Sequence, residues 1–198
     1  MADDAMTTRT VKAYHEAGHA VYAYLVGMTL ESVDGNKNAK FSGDMTTRDH
    51  VKSLFAGQVA ERLSPLSDPT LVLCVQDYYD MLKPLAGAYV EEYGGDPQDE
   101  AESARRETWS IQFREECLKE TEALLRQPAH QKAVTALAEL LVEEGIVSGE
   151  RATQVIAAAL SASTGAGATE VQSPIQHPAP SPKPHRLFER LLKWVKRR

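Results

Sequence analysis

Apolar residues recur at helical spacing through most of the first 160 positions and at strand spacing only once. Between about Arg9 and Val26, a stripe of Val11, Tyr14, Gly18, Val21, Tyr22 and Leu25 predicts a helix capped by Thr7 or Thr8 and stopped at Gly27. Gly18, inside that stripe, costs about 1 kcal/mol relative to Ala. It therefore predicts another backbone packed closely against the helix. Leu30 to Val33 and Ala39 to Phe41 flank Asp34-Gly35-Asn36, the pattern of two brief strands joined by a turn.

Helical periodicity resumes from Asp49 to Leu63, with Val51, Leu54, Phe55, Gln58 and Val59 on the inward side, until Pro65 and Pro69 break it. Gly57 and Ala60 suit tight packing against the first helix. Leu71 to Tyr93 reads as a helix kinked at Pro84 and ended by Gly94-Gly95. Asp96-Pro97 opens the next, to Arg126, with Asp99, Glu100 and Glu102 at the positive end of its dipole. Pro128 to Glu144 carries Val134, Leu137, Leu140 and Leu141, and Ser148 caps a last helix from Gly149 to Ala162. The expected fold is mainly α, with a short two-stranded β element.

From Ser163 to Pro184 the periodicity disappears into Ser, Gly, Ala and Pro, the composition of a flexible linker. His185 to Arg198 is amphipathic again. Leu187, Phe188, Leu191, Leu192, Trp194 and Val195 share one side and are surrounded by Arg186, Arg190, Lys193, Lys196 and Arg197. The chain thus divides into a body at 1–162, a linker at 163–184 and a basic tail helix at 185–198.

Charge sharpens that division. Residues 1–172 hold 15 Lys and Arg against 27 Asp and Glu, a net −12, and residues 173–198 hold 7 against 1, a net +6. An acidic body argues against nucleic acid, whose phosphates require a basic stripe. The tail fits an anionic membrane surface or an acidic groove on a protein partner. Cys74 and Cys117 lack the spacing of a zinc knuckle and Met1-Ala2-Asp3-Asp4 carries no signal pattern. The expected compartment is the reducing cytoplasm, with the tail able to hold the protein at a membrane periphery.

The chemistry concentrates in His15-Glu16-Ala17-Gly18-His19. Two imidazoles four residues apart lie one helical turn apart, so both reach one metal ion while the Glu between them stands alongside. Zinc accepts imidazole nitrogen and, with a third protein ligand, keeps a position open for water. Glu16 is then the base for that water. Asp77, Asp80, His50 and Glu61 are the candidates for the third ligand, and spacing alone does not choose among them. A solvated surface position is the default expectation for Glu61.

The run Thr10 to Ala23 (TVKAYHEAGHAVYA) resembles the opening of the peptidase domain of FtsH-type ATP-dependent zinc metalloproteases. Phe55 to Leu63 (FAGQVAERL) is similar to that family's Gly-Arg-Ala-Ala-Glu-Glu-Leu helix. Gln76-Asp77 followed by Tyr93-Gly94 resembles its Asp-bearing helix, and Leu124 to Ile156 its closing helices. The resemblance spans about residues 8 to 160. It implies a helical zinc-peptidase domain with His15, His19 and Asp77 as zinc ligands and Glu16 as catalytic base. The region from Thr29 to Asp44 is shorter than its counterpart in the family. No Gly-x-x-x-x-Gly-Lys-Ser/Thr run occurs in the 198 residues. The implied activity is therefore ATP-independent hydrolysis of peptide bonds in unfolded or flexible polypeptides. The alternative is a metal-binding, non-catalytic interaction module, which the intact Glu16 disfavours.

Overall fold

This computed structural model of the chain describes residues 2–67, 85, 87–90, 92–94 and 100–164. The first helix, α1, covers Ala2–Leu25 and so begins a turn and a half before the Thr residues expected to cap it. The early sequence, with Ala2, Ala5 and Met6, is rich in strong helix formers, so the helix extends past the expected cap. It stops where Gly27 takes φ +84°, with the Met28 amide donating back to the Ala23 carbonyl at 2.9 Å.

Strands β1 (Thr29–Asp34) and β2 (Asn38–Ser42) form the expected hairpin. At its turn, Asp34 Oδ1 accepts the Asn36 amide at 3.0 Å. Leu30 and Val33 are both buried although they are three residues apart, because the register slips between Leu30 and Ser32 and reverses the alternation. A further strand, β3 (Ile146–Ser148), pairs antiparallel with Ser32 to Asp34, so the sheet has three strands in the order β2-β1-β3. The two-stranded expectation is corrected by this segment. Three residues between Gly145 and Gly149 are too few to show a period, and only pairing with β1 makes them a strand.

Helix α2 covers Thr47–Glu61 and is capped by Thr46, whose Oγ1 accepts the Asp49 amide at 3.0 Å. The Asp49 carboxylate receives the Thr46 hydroxyl in return, 2.6 Å away, and the Tyr22 hydroxyl of α1, 3.1 Å away. Burial and the Asp49 charge together push the Tyr22 phenol well above its ordinary range. Helices α3 (Glu100–Leu125), α4 (Pro128–Glu144) and α5 (Gly149–Thr164) complete the body, and residues 87–90 are helical too. The last helix ends two residues beyond the expected Ala162.

Helix α1 runs through the centre, packed against α2 and α4. Ala13, Ala17, Ala20 and Val21 meet Ala56, Ala60, Val134, Leu137 and Leu141 in one apolar core. A second cluster of Val51, Phe55, Leu85 and Cys117 joins α2 to α3, so α2 is covered on two sides. The close approach expected at Gly18 is present. A Cβ there would run into the Ala56 carbonyl oxygen and stand 2.5 Å from Ala60 Cβ.

Cys117 is 0% exposed, and burial pushes its thiol up to about 11, opposed by nearby Arg48 and Lys52. In a Cys74→Ser background at pH 8, Cys117 should resist alkylation in the native protein and react completely in denaturant. Rapid labelling of the native chain would contradict this packing.

Residues 1–166 form one compact unit, and 167–198 are a separate one. The expected tail helix at 185–198 and most of the expected linker lie outside the described residues, as does the expected Leu71 to Tyr93 helix up to its kink at Pro84. No helix among the described residues is long and apolar enough to cross a membrane.

Candidate metal centre

The pairing of α1 with α2 brings two columns of residues face to face. His15 and His19 are four apart on α1, and Ser53, Gly57 and Glu61 are successively four apart on α2. Their side chains are withdrawn from water, with His15 at 6%, Glu16 at 8% and His19 at 9% exposure. Glu16 follows His15 on α1, and its Oε2 is closed off from solvent.

Each imidazole is held through Nδ1. His19 Nδ1 lies 2.7 Å from the Ser53 carbonyl oxygen, and His15 Nδ1 lies 2.6 Å from Glu61 Oε1. The rings stand nearly perpendicular, 81° between planes, and their Nε2 atoms approach to 2.9 Å. Gly57 makes room for this arrangement. A Cβ on it would lie 2.7 Å from both Nε2 atoms and 2.6 Å from His15 Cε1.

The chemistry of these contacts fits a cation. A carbonyl oxygen only accepts, so His19 Nδ1 carries a proton, and in the neutral form of the ring the Nε2 lone pair is turned toward His15. Two nitrogens at this separation repel unless a proton on His15 or a metal ion lies between them. Zinc bonds of about 2.05 Å at the tetrahedral angle set two nitrogens about 3.3 Å apart, within half an ångström of the distance here. His15 and His19 therefore suit a zinc ion, with both donors turned to one point and their far nitrogens already engaged.

Of the four candidates for a third ligand, Asp77 and Asp80 lie outside the described residues. His50 is exposed on the first turn of α2. Glu61 corrects the expectation of a solvated surface residue, for it is 8% exposed. It faces α1, where its carboxylate meets the Nδ1 side of His15, away from Nε2. Among the described residues no third His, Cys, Asp or Glu converges with the pair.

Sequence reasoning missed what Ser53 and Glu61 do. A signal was present in Gly57, a second helix-interior glycine with Ser and Glu four residues to either side, in register to face a His pair on a neighbouring helix. The chain matches no family model and no curated protein.

Proposed function

We propose that the protein is a zinc metallopeptidase that hydrolyses peptide bonds in unfolded or flexible polypeptides. The observation that carries the reading is the convergence of His15 Nε2 and His19 Nε2 at 2.9 Å, with Glu16, the next residue of α1, also buried. Zinc held by these two nitrogens and by Asp77, the ligand implied by resemblance to the FtsH-type peptidase domain, would supply Lewis acidity to the scissile carbonyl and to water. Glu16 takes the proton of the attacking water and delivers it to the leaving amine. Burial keeps the Glu16 carboxylate out of bulk solvent. The Ser53 carbonyl keeps His19 in one tautomer throughout.

The remaining parts of the reading come from the sequence. Cys74 and Cys117, which lack the spacing of a zinc knuckle, suit the reducing cytoplasm. The basic amphipathic residues 185–198 suit an anionic membrane periphery or an acidic partner surface.

Unfolded casein tests the activity. Cleavage should stop on addition of a zinc chelator and return when zinc is restored. Chelator-insensitive cleavage, or none with zinc bound, would contradict the proposal. The third ligand is tested separately. Asp77→Ala should lose zinc on dialysis while Asp80→Ala and His50→Ala retain it, and the reverse pattern would move the ligand to whichever variant loses metal.

A further inference from the structure

We infer that Glu61 is a positioning residue whose carboxylate holds His15 in the Nδ1–H tautomer and so turns its Nε2 lone pair toward the metal. The inference rests on the metal-centre reading above and extends it to a residue on the neighbouring helix. His15 Nε2 faces the His19 lone pair, so the tautomer of His15 decides whether the space between the rings holds a proton or accepts a cation. A free imidazole side chain favours the proton on Nε2, which would fill that space.

Glu61 reverses the preference. Its Oε1 lies 2.6 Å from His15 Nδ1, a close approach for a ring N–H donating to a carboxylate oxygen. The two side chains are only 7% and 10% exposed, so little water competes for either partner. Glu61 is also anchored. The adjacent Ala60 packs on Gly18, which fixes the end of α2 against the turn of α1 that bears the histidines.

The two rings are held by different acceptors. His19 rests on a backbone carbonyl, which no side-chain substitution removes, whereas His15 rests on a carboxylate, which also makes the imidazole a stronger donor to metal. Glu61 is therefore a side chain through which the affinity of the centre can be altered without touching a ligand.

The test compares the full-length wild type with Glu61→Gln and Glu61→Ala. Nitrogen NMR of the metal-free proteins at alkaline pH reads the His15 tautomer, and competition with a chromophoric chelator reads zinc affinity. Wild type and Glu61→Gln should show Nδ1–H, because the amide oxygen still accepts, and Glu61→Ala should revert to Nε2–H. Zinc affinity should fall in the order wild type, Gln, Ala, by about 10- to 100-fold at the end of the series. A wild-type tautomer and affinity in Glu61→Ala would overturn the inference. If Glu61→Ala does not fold, Glu61→Gln decides, since removing the charge should lower affinity with the tautomer kept, and unchanged affinity would overturn the role. If the wild type binds no zinc, the zinc-peptidase reading fails, and the metal-free tautomers still decide the role of Glu61.

Discussion

Glu16→Gln is expected to lower peptide hydrolysis by about 10² to 10⁴ while zinc content and thermal midpoint stay at wild-type values. The amide matches the carboxylate in size, so the packing of a residue only 8% exposed is kept. What is lost is the ability to take the proton of water and return it to the leaving amine. Because Glu16 is proposed for both transfers, the loss should lie toward the upper end of the range and should appear in kcat more than in KM. Purified variants assayed on casein and on a fluorogenic peptide would measure it. Equal rates for wild type and Glu16→Gln would leave a metal-binding interaction module as the better account.

The second large effect is on stability. Gly18→Ala should destabilise the body by about 1 to 3 kcal/mol, the usual range for overpacking, even though alanine is the better helix former by about 1 kcal/mol. The added methyl would meet the Ala56 carbonyl oxygen and Ala60 Cβ, both fixed parts of α2 that cannot rotate away. Helices α1 and α2 must then separate, and a midpoint lower by several degrees is the expected reading for a domain of this size. Gly57→Ala is the informative contrast. Its methyl would meet imidazole atoms of His15 and His19, which can turn aside, so it should lose zinc with a smaller change in midpoint. Equal stability for Gly18→Ala and wild type would show that the helices are not packed this closely.

Much of this arrangement was legible in the residues. The mainly helical fold, the Asp34-Gly35-Asn36 turn and the close contact at Gly18 follow from local patterns, because periodicity, turn chemistry and a helix-interior glycine each act within a few residues. The third strand was not legible, since Ile146 to Ser148 acquires its state from pairing with Ser32 to Asp34, more than a hundred residues away in the chain. At the site, His15, Glu16 and His19 share one turn and announce themselves by spacing. Glu61 does not, because a Glu near the end of a helix is ordinarily solvated. Only the packing of α2 on α1 sets it against His15 and away from solvent. Its place opposite His15 depends on how two helices dock, a relation that no short window of sequence contains.

The central claim is that His15 and His19 form a zinc centre, and metal analysis tests it most directly. After dialysis against metal-free buffer, the wild-type chain should retain about one zinc per molecule, as a centre with three protein ligands does. His15→Ala and His19→Ala should each retain almost none, with helical content by circular dichroism preserved. A wild-type chain that holds no zinc, or histidine variants that hold as much as wild type, would contradict the account.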